Sequence, residues 1–293
     1  MRPTSIGSPL LRTWKTGACN LTGFASYSAV SPASLLIAKR RYHSGASQEF
    51  GGITRIESER HGLRVKHHMA ETRAPAVLFD VDGTLVDSNY LHVYAWQRAF
   101  AEQGLSVDAW RIHRSIGMDG SALVRELSGG AAGDIEQRLK ELHGQHYRDA
   151  APLLRPLPGA QLLLRRVAEL GLQVVLATSA PEDELAMLRD VLDCDDVVSE
   201  VTTSRDVDIA KPQPDIIQVA LDRAGVTAEK AVFIGDAVWD VEACLRATVP
   251  CIGVLTGGAG RAELRNAGAT AVFEDPRELL EHLEETRLAE LAC

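Results

Sequence analysis

Cysteine is sparse in this 293-residue chain: Cys19, Cys194, Cys244, Cys251 and Cys293 are odd in number, scattered, and form no C-x-x-C. A disulfide framework and a cysteine zinc site are thereby excluded, and free thiols in a reducing compartment are expected. Long apolar runs are missing too. No stretch approaches the roughly 18 residues of a membrane span. Ala29 to Ala38, the best apolar run near the N-terminus, carries Pro32 and is followed rather than preceded by basic residues, the wrong order for a secretory signal. Excess positive charge is absent from the larger part of the chain, because residues 76–293 hold 20 Lys/Arg against 36 Asp/Glu. Such a surface offers no electrostatic footprint for nucleic acid or an anionic membrane, so small soluble molecules are the expected partners.

Acidic residues are in turn missing from the beginning. None occurs before Glu49, and the first 75 residues hold 11 Lys/Arg against 4 Asp/Glu. Serine is abundant there and Lys39-Arg40-Arg41-Tyr42-His43-Ser44 is a basic cluster, which reads as a mitochondrial transit peptide. A start at Met69 is the alternative. No segment in this part carries sustained period-2 or period-3.6 apolar patterning, so residues 1–74 are expected to be a non-folding or targeting extension. A cytoplasmic protein is expected, or a mitochondrial one if roughly the first 45 residues are a transit peptide.

What the chain does hold is AVLFDVDGTLVDS, Ala76 to Ser88. Ala76 to Phe79 reads as a buried strand, broken by Asp80-Val81-Asp82-Gly83-Thr84. Two carboxylates at the C-terminal end of a strand repel one another unless a cation or a shared proton lies between them. Oxygen ligands with no His or Cys close by in sequence point to Mg²⁺, and the chemistry suggested is phosphoryl transfer to a carboxylate nucleophile. Asp-Gly is also a common turn after any strand, so downstream residues must decide.

Downstream the pattern is first helical, over Asn89–Gly104, Asp119–Ser128 and Asp134–Ala150. The next strand, Leu172–Ala177, comes about ninety residues after Asp82, far more than a crossover needs. An inserted helical subdomain over 89–157 is expected, able to close over the site. From Pro158 helices and strands alternate to the end, which predicts an α/β fold: a doubly wound parallel sheet formed by residues 75–88 and 158–293. In that alternation Thr178 ends the second strand, Lys211 follows the third within AKPQPD, and Asp236 ends the fourth within GDAVWD, with Asp240 one turn on. Singly these read as a loop hydroxyl, a solvated cation and a capped helix start.

Jointly, Asp80-x-Asp82-Gly83-Thr84, Thr178, Lys211 and Gly235-Asp236-x-x-x-Asp240 resemble the haloacid dehalogenase superfamily. The insertion is similar to the small helical cap of its phosphoglycolate phosphatase and β-phosphoglucomutase branch. The resemblance implies Asp80 as nucleophile and Asp82 as general acid and base. It implies Mg²⁺ bound by Asp80, Asp82 through its main-chain carbonyl, and Asp236, with Asp240 behind them. Gly83, Thr178, Ser179 and Lys211 would cradle the phosphoryl group, and His92 and Arg114 would reach the substrate, unless they are helix packing and a surface charge. A Mg²⁺-dependent phosphatase acting on a small phosphorylated metabolite, as monomer or homodimer, is the expectation. Its nearest rival is a sugar-phosphate mutase, which His92 and Trp96 favour. Gly235 stands against the mutase, where such enzymes usually carry Glu, and so does Met118, where they supply a basic residue. A receiver domain needs neither the insertion nor Asp82, and a catalytically dead phospho-ligand module would not need every catalytic position filled.

Overall fold

The computed structural model describes residues 73–129, 134–206, 211 and 213–293. The expected extension over 1–74 lies almost wholly outside them. Strand β1 (Ala76–Phe79) leads into helices α1 (Asn89–Glu102), α2 (Ala109–Ser115), α3 (Gly120–Leu127) and α4 (Asp134–Ala150). There follow α5 (Ala160–Glu169), β2 (Gln173–Ala177), α6 (Glu182–Leu192), β3 (Val198–Thr202), α7 (Asp215–Ala224), β4 (Ala231–Gly235) and α8 (Val238–Ala247). The chain continues through β5 (Cys251–Val254), α9 (Arg261–Ala267), β6 (Ala271–Phe273), α10 (Pro276–Glu281) and α11 (Arg287–Ala292).

The six strands form one sheet in the order β3-β2-β1-β4-β5-β6, and every pair is parallel. This is the doubly wound α/β fold that the alternation predicts. Strand order reverses beside β1, so its C-terminal end is the switch point where a crevice opens. All four β1 residues are buried, and the period of two sorts them between faces. Val77 and Phe79 pack with Leu163, Leu164 and Val167 of α5 and Leu185 and Leu188 of α6. Ala76 and Leu78 pack with Ile216, Ile217 and Ala220 of α7 and Val241 and Cys244 of α8. A third cluster is drawn from the helical insertion alone, with Trp96, Phe100, Ile112, Leu123 and Leu139 among its members.

Two elements escape the sequence pattern. Helix α2 buries only Ile112 and Ser115 of its seven residues, too little for an apolar stripe to register. Helix α11 follows a break at His282–Glu285; its start is marked by Thr286, whose hydroxyl accepts from the Leu288 amide.

Candidate active site

Asp80 leaves the sheet directly after β1, its amide still donating to the Ile234 carbonyl of β4. The chain then closes a tight loop in which the amides of Leu85 and Val86 both donate to the Val81 carbonyl. Gly83 makes this possible with a φ of 73°, and a Cβ there would strike Asn89 and Asp236. Its amide donates to Val86 and its carbonyl accepts from Thr256, so Gly83 shapes the loop and has no free donor for a phosphoryl oxygen. The expectation of Gly83 as a substrate contact is corrected accordingly.

Three buried carboxylates, those of Asp80, Asp236 and Asp240, bring one oxygen each to within 4.8 Å of one another. Lys211, also buried, places its ammonium 2.5 Å from Oδ1 of Asp80 and 2.7 Å from Oδ1 of Asp240. Asp236 is held by Thr84, whose hydroxyl donates to Oδ1 at 2.8 Å, and by Asn89, whose amide donates to Oδ2 at 2.9 Å. Asp240 caps α8 by accepting from the Ala237 amide. Asp240 therefore sits within the acidic cluster rather than behind it. Asp82 takes no part through its carboxylate: Oδ1 accepts from Ser88 Oγ at 2.6 Å and faces Nε2 of His92 at 3.1 Å. Only its main-chain carbonyl is left as a metal ligand.

The charges follow from this geometry. Burial pushes the Asp80 carboxyl well up and the Asp240 and Asp236 charges add to it, against the pull of Lys211. Burial, reinforced by Asp240, raises Asp236 to about 7. Burial opposes the Lys211 charge, but Asp240 and Asp80 outweigh it and hold the ammonium well above its ordinary value. Burial likewise works to raise Asp82, yet His92 and Ser88 overcome it and keep that carboxyl below the usual range. Three carboxylates facing one ammonium leave negative charge uncompensated in a buried place. The donors are hard oxygens, and Oδ1 of Asn89, beside Asp236, is buried without a hydrogen-bond partner. The residues fit a hydrated hard divalent cation such as Mg²⁺.

Above the carboxylates lies a cavity of about 280 Å³. Asp80, Asp82, Thr178, Ser179, Lys211 and Asp236 form its floor, and Trp96, Met118, Leu123, Lys140 and His143 of the insertion, with Glu184 of α6, enclose it. Thr178 is buried, and its Oγ1 accepts from the Ala180 amide while keeping its own proton to donate. Two predicted substrate contacts are otherwise engaged. Arg114 pairs with Glu263 at 2.6 Å on the exposed side of the insertion and lines a different cleft. His92 does line the cavity, but both ring nitrogens are engaged, one by Asp82 and one by His143 at 3.0 Å, so it has no nitrogen left for substrate. It also puts a histidine beside the acidic pair that sequence neighbourhood left bare. Thr84, Asn89, His143 and Glu184 carry site contacts that the sequence reading assigned to no role.

Gly235 and Gly257 matter by their missing side chains. A Cβ on Gly235 would lie 2.5 Å from Oδ2 of Asp240, so the position admits no glutamate while Asp240 stays where it is. A Cβ on Gly257 would overlap Oδ2 of Asp236.

The geometry has counterparts in known proteins. A phosphoglycolate phosphatase from Rhodospirillum rubrum is 30% identical over 210 residues, covering 68% of this chain and 87% of its own length. A crystal structure of a hydrolase from Pseudomonas syringae is 37% identical, superposes with a TM-score of 0.69, and covers 72% of this chain and 98% of its own. A β-phosphoglucomutase from Clostridium difficile shares the fold at 19% identity and a TM-score of 0.65, covering 74% of this chain and 98% of its own. The family model for haloacid dehalogenase-like hydrolases matches residues 77–254, from the second residue of β1 to the end of β5, and the chain belongs to that family.

Proposed function

We propose that this protein is a Mg²⁺-dependent phosphatase that hydrolyses a small phosphomonoester, in the manner of a phosphoglycolate phosphatase, through an aspartyl phosphate formed on Asp80. The observation that carries the reading is the pairing on one loop of two carboxylates with opposite surroundings: buried Asp80 against Lys211 and the acidic cluster, half-buried Asp82 against Ser88 and His92. Position separates the two roles: Asp80, set between the Lys211 ammonium and the acidic cluster, is placed to be the nucleophile, and Asp82, turned away from that cluster, is placed for proton transfer.

Asp80 attacks phosphorus in line with the leaving oxygen. The new Asp80–phosphorus bond forms as the ester bond breaks, and Asp82 gives its proton to the departing alkoxide. A phosphoryl dianion arriving beside Asp82 raises its proton affinity, which supplies the acid form. Water then gives a proton to Asp82 and attacks phosphorus, releasing inorganic phosphate and restoring the Asp80 carboxylate. Thr178 and Lys211 donate to phosphoryl oxygens and Lys211 holds Oδ1 of Asp80 in place, contributions of about 3–4 kcal/mol for a well-placed donor. Asp80, Asp236 and Asp240, with the Asp82 carbonyl, would hold Mg²⁺, which when bound supplies the positive charge that keeps Asp80 ionised and offsets that of the phosphoryl group. The helices of the insertion form the roof of the cavity and select the leaving group. Among the described residues that roof offers Lys140 as its one Lys or Arg lining side chain and Met118 where a second phosphate would need charge, which supports a hydrolase acting on a compact monophosphate.

A screen of small phosphomonoesters with Mg²⁺, phosphoglycolate and sugar monophosphates included, tests the reading. Prompt phosphate release without a sugar bisphosphate activator is expected. Interconversion of β-glucose 1-phosphate and glucose 6-phosphate on adding the bisphosphate, with negligible phosphate release, would make the protein a mutase instead.

A further inference from the structure

Glu184 is a buried acid that faces the cavity from the sheet side, yet its one ion pair among the described residues is with His143 of α4, Oε1 to Nδ1 at 3.8 Å. From there a file of polar groups runs to the acid–base carboxylate. Nε2 of His143 lies 3.0 Å from Nδ1 of His92, and Nε2 of His92 lies 3.1 Å from Oδ1 of Asp82. Four side chains from the β1 loop, α1, α4 and α6 are thus in register, although they are far apart in sequence.

The rings have little rotational freedom. His143 stacks on Trp96 with centroids 4.2 Å apart, and His92 stacks on Tyr147 at 4.0 Å with only 7° between planes. With the planes fixed, what remains is which nitrogen carries a proton. Two imidazole nitrogens at 3.0 Å need one proton between them, since two lone pairs or two N–H groups repel. The tautomers of His143 and His92 are therefore interlocked. Glu184 sets the outer end: its carboxylate favours N–H on Nδ1 of His143, and its acid form favours the lone pair there. At 3.8 Å it steers by charge and dipole rather than by a formed hydrogen bond. Burial raises its carboxyl to about 7, so both forms are within reach near neutrality.

We propose that His143 and Glu184 are positioning residues for the acid–base step: acting through the ring of His92, they hold Oδ1 of Asp82 and leave Oδ2 turned to the leaving oxygen. This rests on the phosphatase reading above, in which Asp82 protonates the leaving group. His143 and Glu184 do not touch the reacting atoms. Ser88 alone cannot fix the carboxylate, because a single hydrogen bond to Oδ1 leaves rotation about it free, whereas a second partner on the same oxygen defines its plane.

The signature is a dependence on leaving-group basicity. The value of kcat/KM reports steps up to departure of the leaving group, which needs a proton for an alkyl ester such as glycerol 2-phosphate but not for p-nitrophenyl phosphate. In full-length protein with Mg²⁺, His143→Phe keeps the stack on Trp96 and removes the hydrogen bond. It should lower kcat/KM about ten- to a hundredfold on the alkyl ester and less than about threefold on the aryl ester. His143→Gln, whose amide can give or take a hydrogen bond, should restore the alkyl value to within about fivefold. Glu184→Leu should show the same selective loss at smaller size, and it decides the matter if His143→Phe does not fold. A second readout is independent of turnover: imidazole ¹⁵N spectra, with His92 assigned by comparison with His92→Asn, should show its tautomer redistributed in both variants. Equal losses on the two esters, no loss on either, or an unchanged His92 spectrum overturns the proposal. Wild-type protein that frees phosphate from neither ester sinks the phosphatase reading and the acid–base role with it, while the ¹⁵N spectra still decide whether His143 and Glu184 set the His92 tautomer.

Discussion

Replacing Lys211 by Met should expose how the site balances its charges. Lys211 is buried, and its ammonium is the ion-pair partner of both Asp80 and Asp240. Methionine fills the same space without charge and leaves those carboxylates, with Asp236 close by, facing one another away from water. Removing one partner of a buried ion pair destabilises by about 3–5 kcal/mol. For a folded body of this size each kcal/mol moves Tm by about 2–4 °C, so a fall of about 6–20 °C is expected at neutral pH in the presence of a chelator. The pH dependence has a definite sign. Loss of the ammonium raises the folded-state carboxyl values further, so the deficit is small below the ordinary Asp value of about 3.9 and grows as pH rises through the raised ones. Added Mg²⁺ should recover part of the lost Tm by binding the folded carboxylates, whereas phosphate release stays about 10²–10³-fold down because the Lys211 donor is gone. Thermal unfolding at pH 4.5 and 7.5, with and without Mg²⁺, measures all of this. A deficit under about 1 kcal/mol at pH 7.5 in chelator, or one equally large at both pH values, would refute the reasoning.

Other outcomes follow from the same contacts. Gly257→Ala should push Asp236 from its place and raise the Mg²⁺ concentration for half-maximal activity about ten- to a hundredfold, and an unchanged Mg²⁺ titration would show that Asp236 is not a ligand. Glu184→Gln should stabilise the protein as pH rises: burial lifts the acid from about 4.3 to about 7, so its stabilising contribution is full below pH 4.3 and lost through pH 7. Urea unfolding of wild type and this variant should diverge by about 3 kcal/mol between pH 4.5 and 8, and parallel curves would contradict it. Protein starting at Met69 should keep full activity and a Tm within about 2 °C of the whole chain, and a large loss of either would show that the basic N-terminal part contributes to the fold.

Much of the cavity floor is legible in the sequence because Asp80, Thr178 and Asp236 each directly follow a strand, and strand ends show as breaks in apolar runs. They come together for that reason once β4 is placed beside β1, and Lys211 joins them from the longer connection after β3. Orientation is not legible in this way. That Asp82 turns to Ser88 and His92 while Asp240 joins the acidic cluster depends on the loop closed at Gly83 and the cap at Ala237, which residue order does not display. Roof residues are harder still. His143 lies 51 positions from the ring it meets, on a helix whose spacing explains only its apolar face, and Glu184 looks like any first-turn acid favoured by a helix dipole. Arg114 is ambiguous in sequence because an arginine on a short helix reads alike as a substrate clamp or a surface charge, and its pairing with Glu263 is settled only in three dimensions.

The central claim is that Asp80 carries the phosphoryl group, and rapid acid quench of the wild-type enzyme turning over a phosphomonoester with Mg²⁺ tests it most directly. Peptide mass spectrometry should find one phosphate on Asp80, none on Asp80→Asn, and no phosphate release by that variant, since an amide cannot take the phosphoryl group. Phosphate released at an undiminished rate by Asp80→Asn, or a quenched phosphate on any other residue, would contradict the account.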